Sequence, residues 1–292
     1  MFQGSIVALV SPFGSDDRID GAALAALIDW HVAGGTRALV VAGTTGESAT
    51  LATGEHVALI EQSVELAAGR IPVIAGTGSN STAQTLALSK AVGHCDIAGY
   101  LVVAPYYNKP NQEGLYRHFS HVADGVEKPV LLYNVPGRTC SDILPATVAR
   151  LARHDNIVGI KDATGELSRL AENQAAVDVE NFNYLSGDDF TTRGFLEGGG
   201  HGTISVTANI APAQVAELCA ATLAGDTAKA ERLDRWLQPL HAAMFADSNP
   251  MPVKWALTAM GRSTAAMRLP LVELSPEHQV TVRAALEEAG LV

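Results

Sequence analysis

The chain has 292 residues, enough for one large α/β domain with an appendage or for two ordinary domains. Apolar residues make up 47% and charged residues only 17%, which supports a sizeable core and argues against long disordered tails. The formal net charge of −11 makes nucleic acids and anionic membrane surfaces poor partners. An anionic small molecule would have to be held by local positive charge.

The N-terminus and the cysteines indicate a reducing, cytoplasmic environment. Residues 1–10 lack a basic segment and Pro12 follows their short apolar run, so they predict a first strand rather than a signal peptide. No apolar run approaches the roughly 18 residues that a membrane helix needs. The cysteines, Cys95, Cys140 and Cys219, are scattered and form no CxxC, which supports neither a disulfide framework nor a zinc ribbon.

Eight short apolar runs, each closed by Gly, Pro, Ser or Asn, alternate with longer helix-like stretches. Continuous apolar runs predict strands buried on both faces, as in a parallel sheet. The intervening stretches, such as 21–33 and 54–68, space apolar residues at i, i+3 and i+4, which predicts helices packed on that sheet. The predicted strands are residues 6–10, 38–41, 72–75, 100–103, 130–133, 158–161, 184–186 and 203–206.

This alternation is compatible with a closed barrel or with an open, doubly wound sheet. A dinucleotide-binding sheet should carry G-x-G-x-x-G after its first strand, but here that strand is followed by Ser11-Pro12-Phe13-Gly14. The sequence therefore predicts a (β/α)8 TIM barrel. Beyond about residue 211 only helical patterns follow, at 226–245, 251–260 and 275–289. We expect a catalytic barrel over residues 1–224 and a C-terminal helical domain over residues 225–292.

Lys161 ends the sixth predicted strand, and in a barrel the C-terminal ends of the strands form the active face. Burial disfavours the charged form of an amine and so favours its attack on a carbonyl. The alternative is a rim lysine that extends to solvent or pairs with a carboxylate.

Tyr133 ends the fifth predicted strand, and Arg138 follows it after a Pro-Gly turn. A tyrosine hydroxyl at the barrel mouth can move protons, and an arginine can bind a carboxylate with two parallel hydrogen bonds. The alternatives are a core tyrosine bonded to the backbone and a solvated arginine.

Two loops add polar and aromatic groups to the same face. Thr44 and Thr45 lie between two glycines, where hydroxyl and backbone N–H groups can bind a carboxylate. A capping box from Thr44 to Glu47 is the alternative, but residues 49–54 separate it from the next convincing helix. Tyr106 and Tyr107 are adjacent in the loop after the fourth strand and suggest a subunit interface, against simple packing at the rim.

Two pairs of residues of types that can bind a metal ion lack the further ligands that a metal site needs. His118 and His121 are three apart on a helix without an HExxH pattern. The adjacent Asp188 and Asp189 should direct their side chains apart. We therefore expect no metal site here.

Together these segments resemble the pyruvate-dependent class I aldolase superfamily, which includes dihydrodipicolinate synthases and N-acetylneuraminate lyases. The resemblance extends from Gly4 to Leu291. The pair Thr44-Thr45 and Arg138 favour the dihydrodipicolinate synthase family over the sialic acid lyases. The segments that carry the resemblance are residues 43–48, 105–108, 133–139, 159–164, 186–189, 202–206 and 249–254.

The resemblance implies an enzyme that condenses pyruvate with L-aspartate 4-semialdehyde in lysine and diaminopimelate biosynthesis, with no metal or organic cofactor. It implies that Lys161 forms an imine with pyruvate, that Thr45 binds the pyruvate carboxylate and that Arg138 binds the carboxylate of the second substrate. A homotetramer is the usual family assembly. The resemblance also implies a proton relay formed by Tyr133, Thr44 and a neighbouring subunit's Tyr107. The Ile204 carbonyl and Gly187 are implied to line the pyruvate pocket.

The family's lysine-feedback site is also implied, but two of its positions depart from the pattern of inhibited members. Thr53 stands where a histidine is common, and Gln84 stands where a glutamate often binds the ammonium group of the effector. A charge-assisted contact of that kind is worth about 1.5–3 kcal/mol, so we predict weak or absent inhibition by L-lysine. The other implied positions of this possible allosteric site are Ser48, Ala49, His56, Asn80 and Tyr106.

Three alternatives remain open on sequence alone. The first is a sister aldolase acting on a sugar-derived 2-oxo acid, which a polyhydroxylated aldehyde substrate would reveal. The second is a barrel that has lost catalysis and serves in binding or regulation, which failure to trap a pyruvate adduct would support. The third is a metal-dependent barrel enzyme, which would be sensitive to chelators.

Overall fold

The chain forms a closed parallel barrel in a computed structural model that describes residues 2–292. Within this range the strands are β1 (Gly4–Ala8), β2 (Ala38–Val41), β3 (Val73–Gly76), β4 (Gly99–Val103), β5 (Val130–Asn134), β6 (Ile157–Asp162), β7 (Asn183–Ser186) and β8 (Gly202–Ser205). Each strand pairs with the next along the chain, and β8 closes the barrel on β1. The predicted TIM barrel is confirmed.

Helices surround the barrel and continue beyond it. They are α1 (Gly21–Ala33), α2 (Thr53–Ala67), α3 (Thr82–Ala91), α4 (Gln112–Asp124), α5 (Pro136–Thr139), α6 (Pro145–Ala152), α7 (Leu167–Ala176), α8 (Thr192–Glu197), α9 (Pro212–Leu223), α10 (Thr227–Met244), α11 (Met251–Ala259) and α12 (Pro276–Glu288). Two 3-10 turns, Ser48–Thr50 and Thr207–Asn209, follow β2 and β8 at the barrel mouth.

Helix α4 shows why such segments become helices on a barrel. Leu115, Phe119 and Val122 recur at i, i+4 and i+7, and all three are fully buried. The helix begins where the Asn111 side chain accepts a hydrogen bond from the backbone N–H of Gly114. The buried stripe packs on the sheet, and the opposite face meets solvent.

The apolar core has two layers because each strand contributes side chains to both faces of the sheet. Ile6, Val40, Leu131 and Leu185 belong to the cluster that fills the barrel interior. The alternate residues pack against the helices in the larger, outer cluster. A filled interior leaves the strand ends and their loops as the place for a site.

The C-terminal extension packs as a helical unit over the edge of the barrel, with α10 against α9 and α12, and α11 against α12. The turn at Gly225 separates α9, which packs on β1, from α10. The division into two domains at residue 224 falls in this turn and stays a prediction. Across residues 2–292, each helix is too short or too polar to cross a membrane.

Candidate active site

Lys161 and Tyr133 face each other at the C-terminal ends of β6 and β5. The two residues are paired in register, and the Lys161 Nζ lies 4.3 Å from the centroid of the Tyr133 ring. Both are buried, at 5% and 8% exposure. The structure extends both strands by one residue beyond the predicted end, because Asn134 pairs with Asp162. The lysine therefore lies inside the barrel rim, at the end of the barrel where the strand-end loops form a site.

Gly187 provides the space that the lysine side chain occupies. A Cβ atom at this position would lie 2.8 Å from the Lys161 Cε and 2.7 Å from the Ala163 Cβ. Its N–H donates to the carbonyl of Asp162, which fixes the turn after β7 beside the lysine. Any side chain at Gly187 would displace the amine.

Ile204 lies on β8, next to β1, and is 1% exposed. It shares the interior apolar cluster with Tyr133 and Val135. The predicted pocket residues Ile204 and Gly187 therefore border the same end of the barrel interior as Tyr133 and Lys161.

The loop after β2 is a tight turn held against the rim. The N–H groups of Gly46 and Ser48 donate to the carbonyl of Gly43, and the Ser11 hydroxyl donates to the carbonyl of Gly46. Thr45 is 2% exposed, and Thr44 is partly exposed. Glu47 does not cap the loop, because its carboxylate binds Lys254 and the backbone N–H of Arg268 instead.

Asn249, in the C-terminal extension, connects the two predicted carboxylate-binding positions. Its Nδ2 donates to the Thr45 Oγ1 at 2.9 Å. Its backbone carbonyl accepts from the Arg138 guanidinium at 3.4 Å. The structure thus brings Thr45 and Arg138 together, although they are 93 positions apart, since each is bonded to the same residue. Because the Thr45 hydroxyl accepts from Asn249, its own hydrogen remains free to donate to a ligand.

A second polar network fixes the loop after β5. Asn134 donates from its Nδ2 to Asp142 and Asp162, and its Oδ1 accepts from the backbone N–H of Ile143. Arg169 binds Asp142 through two hydrogen bonds of 2.8 and 3.0 Å. Burial raises the pKa of Asp142, but the bonds from Arg169 and Asn134 outweigh it and hold the pKa below its ordinary value.

The residues of both supporting networks were not predicted as site components from the sequence. Their partners lie far apart in sequence and become neighbours only when the barrel closes. The segment 249–254 entered only through the family resemblance. An asparagine directly after an apolar run, at the end of a predicted strand, is the one local signal that could have pointed to Asn134.

The two tyrosines of the β4 loop differ in exposure. Tyr107 is 88% exposed and has a positive φ of 76°, whereas Tyr106 is 37% exposed. Tyr107 is thus directed to solvent in this chain. Its role as a relay residue in a neighbouring subunit stays a prediction.

Asp188, Asp189 and His118 have structural partners. Asp189 accepts hydrogen bonds from the N–H groups of Val206 and Thr207, whereas Asp188 binds Thr191, so the two side chains diverge as expected. His118 is buried against Thr82, and burial lowers its pKa to about 4.

The six possible allosteric positions lie in three neighbouring segments. His56 is buried, and its Nε2 contacts the carbonyl of Gly76. The Gln84 amide oxygen accepts from the Ser79 hydroxyl, and the Asn80 carbonyl accepts from Asn108. Ser48 and Ala49 form part of a 3-10 turn, and Tyr106 is the less exposed of the two tyrosines. Their role in effector binding stays a prediction.

The barrel with a buried lysine at its mouth defines the class of Schiff-base-forming, class I aldolase-type lyases. The model of the dihydrodipicolinate synthetase family matches residues 1–289. The chain therefore belongs to this family, and the resemblance seen in the sequence is confirmed.

Individual relatives agree with the family model. The chain is 52% identical to 4-hydroxy-tetrahydrodipicolinate synthase of Teredinibacter turnerae and of Methylococcus capsulatus, with all of both chains covered in each case. Its structure is similar to that of the chloride-inhibited dihydrodipicolinate synthase of Acinetobacter baumannii complexed with pyruvate. There the TM-score is 0.97 and the identity 45%, again over the full length of both chains.

Proposed function

We propose that this protein is a 4-hydroxy-tetrahydrodipicolinate synthase, which condenses pyruvate with L-aspartate 4-semialdehyde through a Schiff base on Lys161. The observation that carries the proposal is the position of Lys161, buried at the end of β6 and facing the Tyr133 ring. Full-length relatives that are about half identical bear this name, which supports the choice within the superfamily.

The reaction begins with imine formation. The Lys161 amine attacks the C2 carbonyl of pyruvate, and loss of water gives a protonated imine. The imine withdraws electrons from the methyl group, so a base removes a methyl proton and leaves an enamine. Tyr133 moves protons in these steps, together with Thr44 and a neighbouring subunit's Tyr107.

Carbon–carbon bond formation follows. The enamine carbon attacks the C4 aldehyde of the semialdehyde, whose oxygen takes up a proton. The α-amino group of the same substrate then attacks the imine carbon, which closes the ring and expels the Lys161 amine. Every atom and electron pair is supplied by the two substrates and by proton transfer, so the sequence of steps requires no redox partner.

Two carboxylate contacts orient the substrates. The Thr45 hydroxyl and the N–H groups of its loop hold the pyruvate carboxylate, and Asn249 orients that hydroxyl by occupying its acceptor position. Arg138 binds the carboxylate of the semialdehyde, with its guanidinium placed by the Asn249 carbonyl. The Ile204 carbonyl and Gly187 complete the pyruvate pocket.

The deciding experiment measures formation of the cyclic product from pyruvate and L-aspartate 4-semialdehyde, in wild type and in Lys161→Ala. We expect product in the wild type and a pyruvate adduct that borohydride traps on Lys161. An adduct without product would retain the Schiff base and move the assignment to a sister aldolase. Neither adduct nor product would refute the proposal.

We propose further that the enzyme acts in the cytoplasm as a homotetramer in which Tyr107 enters a neighbouring active site. Its 88% exposure in the single chain supports this arrangement. The test mixes Lys161→Ala subunits with Tyr107→Phe subunits after dissociation. Hybrid assemblies should regain activity that neither variant has alone, because one site then combines an intact lysine with an intact tyrosine. If hybrids form and stay inactive, Tyr107 does not act across subunits.

A further inference from the structure

Three side chains able to bind a metal ion converge at the end of the barrel opposite the Lys161 site. Glu61 lies in the second half of α2, and His94 and Cys95 lie in the loop that leads into the N-terminal end of β4. The His94 Nε2 is 3.2 Å from the Glu61 Oε1 and 3.7 Å from the Cys95 Sγ. All three ligand atoms lie within 4.8 Å of one another.

These separations are those that a tetrahedral zinc ion imposes on its ligands. Bonds of about 2.3 Å to sulfur and about 2.0–2.2 Å to nitrogen and oxygen, at tetrahedral angles, place nitrogen about 3.3 Å from oxygen and about 3.6 Å from sulfur. The His94–Glu61 and His94–Cys95 distances differ from these values by about 0.1 Å. The Glu61 carboxylate and the Cys95 sulfur lie within 4.8 Å of each other, so a movement of the exposed Glu61 side chain would complete the geometry.

An ion pair between His94 and Glu61 explains only two of the three groups. Side chains of neighbouring residues diverge in extended chain, yet those of His94 and Cys95 converge here. They converge because the backbone turns sharply, with the Cys95 N–H bonded to the Val92 carbonyl and the Ile97 N–H bonded to the Cys95 carbonyl. The thiol is 9% exposed and forms its hydrogen bond with the imidazole.

A reactive thiolate is the other function that such a cysteine could have. A nucleophilic or redox-sensing cysteine needs a solvent-accessible thiolate, and Cys95 is only 9% exposed. Its sulfur faces the His94 imidazole instead of solvent.

We propose that Glu61, His94 and Cys95 form a site for Zn²⁺ or a similar thiophilic divalent cation, with water as the fourth ligand. Imidazole, thiolate and carboxylate are together the donor set of zinc rather than of magnesium or calcium. The His94 and Glu61 side chains are 66% and 46% exposed, which gives the ion a path from solvent. The ion would join α2 to the loop before β4 and stabilise the fold. Its distance from Lys161 separates it from the reaction.

The experiment titrates the full-length protein with Co²⁺ and follows its absorption. The wild type should bind one equivalent with the visible bands of tetrahedral cobalt and a thiolate charge-transfer band. The charge-transfer band should disappear in Cys95→Ser and persist in the matched control Cys140→Ser, which removes an exposed thiol elsewhere. His94→Ala and Glu61→Gln, at the surface, should each weaken binding at least about tenfold.

Thermal unfolding gives a second readout, since a ligand that binds only the folded state raises the Tm. Zn²⁺ should raise the Tm of the wild type and not that of His94→Ala. The proposal is wrong if the wild type shows no charge-transfer band, if the band survives in Cys95→Ser, or if it vanishes in Cys140→Ser. Should Cys95→Ser fail to fold, unchanged affinity in both surface variants would overturn it equally.

Discussion

Two buried lysines in this protein both lie against an aromatic ring but differ in their charged partner. Lys161 is 5% exposed and Lys254 is 1% exposed, and each Nζ lies 4.3 Å from the centroid of an aromatic ring. The Lys254 Nζ is 2.5 Å from a carboxylate oxygen of the buried Glu47. Within the described chain no carboxylate oxygen comes within 4.0 Å of the Lys161 Nζ. Burial alone therefore does not distinguish the two amines, whereas the carboxylate partner of Lys254 does.

Removal of Lys161 should have the largest effect. In Lys161→Ala we expect turnover to fall by several orders of magnitude, because no imine can form, while the fold persists. Lys254→Met in the same assay should retain the borohydride-trapped pyruvate adduct in its folded fraction. Trapping of pyruvate on Lys254, or an adduct retained in Lys161→Ala, would contradict the assignment of Lys161 as the nucleophile.

Removal of Lys254 should mainly reduce stability. Burial lowers the pKa of Lys254, and the Glu47 carboxylate opposes that shift, so the ion pair stabilises the charged lysine. Lys254→Met leaves Glu47 buried without its partner, which should cost about 3–5 kcal/mol of unfolding free energy in urea denaturation. The double variant Glu47→Gln with Lys254→Met should recover much of that loss. Equal stability of the single and double variants would contradict the ion-pair interpretation.

The predicted effector site allows the same comparison of charge pairing at the surface. Gln84 bonds to Ser79, and the family resemblance predicts that a carboxylate at this position would bind the ammonium group of L-lysine. Gln84→Glu should strengthen inhibition by L-lysine by about 1.5–3 kcal/mol, measured as the half-maximal inhibitory concentration. Inhibition of the wild type at sub-millimolar L-lysine would refute the prediction of weak inhibition, and Gln84→Ala is the matched control.

His31 is a third buried basic side chain, and burial keeps it neutral. Its Nδ1 bonds to Thr36, and burial lowers its pKa to about 3. Above pH 6.5 the imidazole is neutral in both states. Below that pH only the unfolded chain takes up the proton, so stability falls as the pH drops from about 6.5 towards 3.

The loss at pH 5 should be about 2 kcal/mol from this group. Urea denaturation at pH 7 and pH 5 measures it, and His31→Gln should flatten the pH dependence by about that amount. The exposed His121, changed to Gln, is the control. An unchanged slope in His31→Gln would show that another group is responsible.

Lys161 and Tyr133 could be predicted because their signal is local. Each ends an apolar run, and the end of a parallel strand in a barrel fixes where a side chain lies. The eight strands and the long terminal helices were predictable for the same reason, because the spacing of apolar residues depends only on residues close in sequence.

The ion pair of Lys254 with Glu47 could not be predicted in this way. The two residues are 207 positions apart, and they meet only when the extension folds back over the barrel rim. Neither the continuous apolar pattern around Lys254 nor the loop around Glu47 indicates a charged partner. The same holds for Asn249, which is 204 positions from Thr45.

Substitution of Asn249 should have the smallest effect of these changes, and it tests how the C-terminal extension supports the site. Asn249→Ala removes one neutral hydrogen bond to the Thr45 hydroxyl, worth about 0.5–1.5 kcal/mol, so KM for pyruvate should rise about two- to twelvefold. The turnover number should change less, because the contact holds the carboxylate equally in ground and transition states.

Asn249→Asp separates orientation from packing, since it keeps the size of the side chain. Its carboxylate can only accept, so it would turn the Thr45 hydrogen away from pyruvate and repel the substrate carboxylate as well. KM for pyruvate should therefore rise further than in Asn249→Ala. Equal KM values in both variants and the wild type would show that Asn249 holds the extension in place without orienting Thr45. The extension would then support the barrel as Lys254 does, through stability alone.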